Sequence, residues 1–302
     1  MSIDVRNITK NYGPRKALDS VSFSINKGEI VGFLGPNGAG KSTMMKILTT
    51  YIRPGSGSAA VNGFDILTQK KEVQRSIGYL PEHNPLYLDM YVREYLDFTA
   101  SVYRAAGKKT GKEELERVLE LTGLSGEAYK KIGQLSKGYR QRTGLAAAMI
   151  HDPEVLILDE PTTGLDPNQI VGIRELIRNT GREKTVLLST HIMQEVEAMC
   201  DRVIIVNRGQ IVADKQLSTL KEGETQVIEV EFDYRVEPRL LEELPYIDTI
   251  RNVYDFVYEL HFSTSTDMRP AIFDFAHDNG LKTLQLHHKN RNLETLFREL
   301  TQ

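Results

Sequence analysis

Residues 135–166, LSKGYRQRTGLAAAMIHDPEVLILDEPTTGLD, constrain the fold more than any other stretch of the chain. They set a Ser/Gly turn, a helical segment, an apolar strand ending in Asp159-Glu160 and a second Asp turn in one short run. Residues 155–158 are continuously apolar, and 185–188 form a second such run after Thr185. A strand with one wet face alternates polar and apolar residues, so unbroken runs mark central parallel strands covered on both faces. A third apolar strand, 29–34, runs straight into a glycine-rich loop and a helical stretch at 41–50. Residues 2–9 and 20–26 alternate instead, as half-buried strands do. Strands alternating with helices imply an α/β sheet.

The loop itself reads Gly35-Pro36-Asn37-Gly38-Ala39-Gly40-Lys41-Ser42-Thr43 and fits G-x-x-x-x-G-K-[ST]. Its glycines let the backbone wrap a phosphate, with N–H groups pointing inward at a helix N-terminus. In that geometry Lys41 reaches the β- and γ-phosphates, Ser42 ligates Mg²⁺ and Thr43 lies near the α-phosphate. An incidental glycine turn is disfavoured by the position between a strand and a helix. Ligands of such sheets lie at the carboxyl ends of the strands, where Asp159 and Glu160 stand. Asp159 is the candidate Mg²⁺ ligand, directly or through water. Glu160 is the candidate general base on an attacking water. Two solvated acids at a strand end are the plainer alternative, and it loses weight beside the phosphate loop.

Leu135-Ser136-Lys137-Gly138-Tyr139 resembles LSGGQ, the signature of the ATP-binding cassette (ABC) family. Read locally, Ser136 is a helix cap. The resemblance implies that Ser136 and Gly138 face the γ-phosphate of ATP held on an opposite subunit, using the anion affinity of a helix N-terminus. Lys137 and Tyr139 depart from the common Gly and Gln. His191 falls at the family's switch-histidine position, although a lone His is more often structural. Asp166 matches the loop that crosses the dimer interface. Tyr12 matches the aromatic that stacks on adenine, a contact of about 1–3 kcal/mol; the alternative is a strand-end Tyr packed on the core. Glu82 sits where many cassettes carry a Gln that touches Mg²⁺ or its water and signals to a partner. An ionised carboxylate accepts hydrogen bonds but cannot donate them. Lys41, Glu160 and His191 are thus the expected catalytic set, and Ser42, Asp159 and Glu82 the expected metal set.

The resemblance covers residues 1–221 and implies a P-loop, RecA-like ABC ATPase core with antiparallel β and helical subdomains, the latter near 85–150. It also implies ATP and Mg²⁺, a head-to-tail dimer with a second ATP-binding subunit, and coupling through the Glu82 region to a separate integral membrane permease. The overall likeness is to bacterial exporter-type subunits, the gliding-motility-associated ones above all. No apolar run approaches the ~18 residues that span a bilayer, and MSIDVRNITK lacks an apolar signal core. The expectation is a cytoplasmic chain, peripheral at the inner membrane. A soluble non-transport ABC ATPase and an ATP-binding regulatory module are the rivals; Glu160 argues against the second. Cys200 is the only cysteine, which excludes an intrachain disulfide.

Composition shifts near 221–224. Residues 222–302 hold 16 acids and 8 bases, net −8, against 25 acids and 30 bases, net +5, for residues 1–221. An acidic segment does not neutralise phosphates, which argues against nucleic-acid binding. Its strand and helix pattern runs β-α-β-β-α-β and then a helix, an α+β, ferredoxin-like order. Tyr254, Phe256, Tyr258, Leu260 and Phe262 alternate along one strand and are expected to pack on the two helices. His287 and His288 point to opposite faces of a strand, so they do not share a metal.

Overall fold

The strands Ile30–Leu34, Val155–Asp159 and Thr185–Thr190 are buried at every residue. This is a computed structural model, and it describes residues 1–107, 110–221, 226–264, 266–289 and 293–301. The three strands lie side by side in a six-stranded sheet, ordered Gln210–Gln216, Arg202–Asn207, Ile30–Leu34, Thr185–Thr190, Val155–Asp159, Ile77–Leu80. The pairings of the three with one another and with Arg202–Asn207 and Ile77–Leu80 are parallel. Ile157 and Leu187 face one side of the sheet, where they meet Met44, Met45 and Ile47 of the helix Lys41–Leu48. Leu156, Leu158 and Leu188 face the other, against Leu145, Ile173 and Leu176. Full burial of such side chains contributes about 1.5–3 kcal/mol each, so the strand ends stand on a rigid base.

A second sheet is antiparallel and holds Arg15–Ile25, Ile3–Tyr12, Ser56–Val61 and Phe64–Asp65 in that order. Its first two strands are longer than the alternation at 2–9 and 20–26 predicts, because the hairpin closes with Tyr12 paired to Arg15. Its inner face, including Val5, Ile8 and Phe23, joins the core around Phe33. The helices Val92–Ala105, Lys112–Leu121 and Lys137–Met149 form a helical layer around Leu96, Val118 and Leu145.

The chain divides into two compact units, Met1–Lys215 and Gln216–Leu300. The break thus precedes the one expected at 221/222. Of the composition shift near 221–224, residues 222–224 lie outside the described residues, and the helix Leu217–Lys221 groups with the second unit. That unit carries four strands ordered Ile247–Tyr254, Val257–Phe262, Gln226–Phe232, Thr283–Lys289, all pairs antiparallel. Pro238–Leu241 follows the first strand in sequence and Arg269–Asp278 the third. Ile228, Val230 and Phe232 point inward with Tyr258, Leu260 and Phe262. The Tyr258 hydroxyl accepts from Val236 N–H at 2.9 Å and donates to Val236 O at 2.7 Å, which satisfies a phenol in a closed core. Tyr254 and Phe256 do not pack on the helices and are exposed. They flank Asp255, whose φ of 41° turns the hairpin and takes both residues out of the buried register.

Candidate functional site

Helix Lys41–Leu48 begins at Gly40, which has φ 109°. A Cβ there would lie 2.4 Å from Ala17 O, so only glycine lets the loop pass that strand. No side chain caps this helix. Its first-turn N–H groups, with the positive end of the helix dipole, are left to an anion. Arg15 donates to Gly38 O at 3.1 Å and lies over the glycine. The Lys41 ammonium donates to Gly35 O at 2.8 Å and to Pro36 O at 3.3 Å. It also pairs with Glu160 Oε1 at 3.3 Å, with the two side chains only 6% and 8% exposed.

Strand register brings the acids to this loop. Asp159 lies opposite Ser189, and the Ser189 hydroxyl donates to Asp159 Oδ1 at 2.6 Å. The Ser42 hydroxyl donates to the same oxygen at 3.0 Å. Burial pushes the Asp159 carboxyl above its ordinary value; the bonds from Ser189 and Ser42 oppose that rise, and the charges of Glu82 and Glu160 add to it. Ser42 and Asp159 are hard oxygen donors of the kind Mg²⁺ takes when phosphates and waters complete its shell. Among the described residues, no group of three or more His, Cys, Asp or Glu is placed to hold a metal unaided. The donor set therefore fits a metal that arrives with a phosphate ligand.

Glu160 leaves the strand with φ 50°, a left-handed conformation that a non-glycine residue keeps only where its surroundings enforce it. Its N–H donates to Ser189 Oγ at 3.0 Å. One carboxylate oxygen, Oε2, lies 2.9 Å from His191 Nδ1 and accepts from the Thr163 hydroxyl at 3.3 Å.

Tyr12, Asn37, Gly38, Gly40, Lys41, Ser42, Thr43, Glu82, Glu160 and His191 line one cleft of about 600 Å³, with Arg15 and Thr163 beside them. Gly35 and Pro36 join through the carbonyls that hold Lys41, and Ala39 is buried beneath the loop. Tyr12 is 50% exposed at the mouth, with Lys10 Nζ 5.6 Å from its ring centroid. Ser136, Gly138 and Asp166 do not line this cleft. Ser136 caps Lys137–Met149, accepting from Tyr139 N–H at 3.4 Å. Asp166 caps Pro167–Gly181, accepting from Gln169 N–H at 3.0 Å. Gly138 is buried beneath the Gln169 side chain, with a built Cβ 2.6 Å from Cδ. Glu82 also lines a larger groove of about 1140 Å³, between Tyr95 and Tyr103 on one wall and Lys46, Lys71 and Arg75 on the other. The phosphate loop residues Gly35–Thr43 are absent from that groove's walls, so size does not mark the nucleotide site here.

Arg15, Thr163 and Ser189 complete the site, and the sequence reading gives none of them a role, although Thr163 lies within the run 135–166. Ser189 carries the clearest signal, a polar residue ending an apolar run two positions before His191.

The ABC transporter family matches residues 18–163. An uncharacterized ABC transporter ATP-binding protein, YxlF of Bacillus subtilis (strain 168), is 36% identical over 300 residues, 98% of each chain. The Nod factor export ATP-binding protein I of Burkholderia orbicola (strain AU 1054) is 34% identical over 302 residues, 99% of this chain and 96% of its own. Neither name is a gliding-motility one. A solved ATP-binding cassette, dimeric and in a post-hydrolysis state with ADP and Pi bound, matches with a TM-score of 0.64 and 26% identity over 71% of this chain and 98% of that one. ATP-binding subunits of this family dimerise and work with a transmembrane permease. With relatives matched almost end to end and a shared cassette fold, this chain belongs to the ABC transporter family, as an ATP-binding subunit that hydrolyses ATP.

Proposed function

We propose that this subunit drives export through a separate integral membrane permease, acting as a head-to-tail homodimer held peripherally at the cytoplasmic face of the inner membrane. One observation carries the dimer: Lys41, Ser42, Glu160 and His191 line one cleft, with Asp159 bonded to Ser42 beside it, whereas Ser136, Gly138 and Asp166 line neither that cleft nor the larger groove. A site that uses all of them takes the second set from a second copy. The export reading is supported by the name of the Nod factor export relative.

Lys41 exchanges the Gly35 and Pro36 carbonyls for phosphate oxygens. Mg²⁺ would supply positive charge against the phosphates. Ser42 and Asp159, bonded to each other, would hold it, and Glu82, which lines the same cleft as Ser42, would contact its water. Glu160 accepts a proton from the attacking water, and His191 orients Glu160 through Nδ1. Tyr12 stacks on the base. Glu82 belongs to both the cleft and the larger groove, which supports coupling of the phosphate state to a permease segment seated there. No described helix is long and apolar enough to cross a membrane. The second unit is read as a ferredoxin-like accessory domain, on its strand order and its two intervening helices.

Affinity purification of the chain from detergent-solubilised membranes tests the partner. The expected result is a co-purifying multi-span protein. Recovery of the chain alone, with its ATPase activity intact, favours the soluble non-transport ATPase.

A further inference from the structure

Glu195 is completely buried on the short helix Met193–Met199, just past His191. A buried carboxylate is tolerated only where something answers its charge or its lone pairs. Among the described residues Glu195 meets no cation; it meets two hydroxyls. Oε1 accepts from Thr162 Oγ1 and Oε2 accepts from Thr190 Oγ1, the latter at 2.7 Å. Thr190 Oγ1 in turn accepts from Ile192 N–H at 3.1 Å.

The two threonines come from different loops. Thr162 follows Glu160 by two residues, after the strand Val155–Asp159. Thr190 ends the neighbouring strand and directly precedes His191. One carboxylate therefore ties the loop that carries Glu160 to the loop that carries His191. The first loop is anchored on its other side by Gln141 of the helix Lys137–Met149, whose amide donates to Pro161 O at 2.8 Å. Glu195 does not line the nucleotide cleft.

We infer that Glu195 is a positioning residue for ATP hydrolysis: it holds His191 in register with Glu160 and acts only through that pair. The bond from His191 Nδ1 to Glu160 Oε2 spans 2.9 Å. It weakens if either loop moves away or turns, because a hydrogen bond depends on both distance and angle. A carboxylate suits this task. Its two oxygens accept from two hydroxyls at once, and it donates to neither.

The inference rests on His191 and Glu160 acting together in hydrolysis. It is tested on the full chain with Glu195→Ala, His191→Ala and the double variant, by single-turnover hydrolysis at saturating Mg-ATP, alongside ATP affinity and thermal midpoint. Glu195→Ala is expected to slow hydrolysis about 10-fold or more while leaving ATP affinity within about 2-fold, and to add less than about 2-fold in the His191→Ala background. A purely structural role lowers the rate equally in both backgrounds, and that result overturns the inference while leaving the His191 reading intact. Hydrolysis by His191→Ala at the wild-type rate overturns both. Thr162→Val removes one hydroxyl without changing shape and carries the same test if Glu195→Ala does not fold. It is expected to slow hydrolysis only where His191 is present, and a wild-type rate counts against the inference. Glu195→Gln can accept from one threonine and donate to the other, and is expected to recover most of the rate; loss as deep as that of Glu195→Ala also counts against it.

Discussion

His191 Nδ1 stands 2.9 Å from Glu160 Oε2 across a sequence separation of 31 residues. The two are brought together by the parallel pairing of Val155–Asp159 with Thr185–Thr190, which sets Asp159 beside Ser189 and ends both strands at the same edge. The carboxylate is 8% exposed and the imidazole 43%, so the base is sheltered and its partner faces the cleft. On the opposite oxygen Glu160 meets Lys41. A residue held from two sides has little freedom left, and loses little entropy when a substrate orders it.

Glu160→Gln keeps the shape of the side chain and removes its basicity. ATP affinity is expected to hold, and hydrolysis to fall at least ~100-fold. Phosphate release and equilibrium nucleotide binding measure the two arms. A rate near wild type removes Glu160 as the base.

Gly40→Ala places a methyl 2.4 Å from Ala17 O at φ 109°. The expected outcome is loss of ATP binding together with a destabilisation of about 1–3 kcal/mol. Gly63→Ala is the matched control, since Gly63 has φ 82° and nothing within 4 Å of the added carbon. It is expected to lower stability and spare ATP binding. Urea midpoints and nucleotide titrations distinguish the pair; equal loss of binding in both means that backbone strain alone accounts for the effect at Gly40.

Ser136→Arg removes a helix cap worth about 1 kcal/mol, too little to unfold the chain. It also sets a bulky charge on an exposed turn away from the chain's own cleft. Monomeric ATP binding is expected to survive and ATP-dependent dimerisation to fail, as read by gel filtration in the Glu160→Gln background. Normal dimers end the reading of Ser136 as a residue of the partner's site.

Asp152 accepts from Lys184 at 2.8 Å and from Arg117 at 3.2 Å. Burial alone raises its carboxyl, but the Lys184 bond and the charges of Lys184 and Arg117 outweigh that and hold it below the ordinary value. A depressed carboxylate stabilises the fold above its unfolded value, near ~3.9, and the contribution is lost as pH falls through the lower folded value. Lys184→Met is expected to cost at most about 1 kcal/mol at neutral pH, since the carboxylate side of the pair is largely exposed. The difference from wild type should close once Asp152 is protonated in both. Urea melts at neutral and acid pH check this; a gap independent of pH means the pair carries no stability.

Much of the core and site could be read locally. The phosphate loop is contiguous, and Asp159 and Glu160 follow directly on an apolar run whose burial can be inferred without partners. In the second unit the seven expected elements recur with shifts at their ends, because each carries its own periodicity. No motif or periodicity in the sequence reading marks the helices Pro167–Gly181 and Met193–Met199. Glu195, on the second, looks on paper like one more surface acid, and its burial depends on hydroxyls supplied by Thr162 and Thr190.

The sequence alone determined which groups exist and which backbone element delivers each: an anion-ready helix start after Gly40, two acids at a strand end, a histidine after the next buried strand. Those follow from spacing and from the demand that apolar runs be covered. The tertiary structure decided which groups touch. Strand order set Ser189 on Asp159, hairpin closure brought Tyr12 and Arg15 to the cleft, and the turn at Asp255 exposed Tyr254 and Phe256. Local pattern records the burial of each strand, but contacts between strands depend on which neighbours the sheet assembles, and that is settled only when the whole core closes.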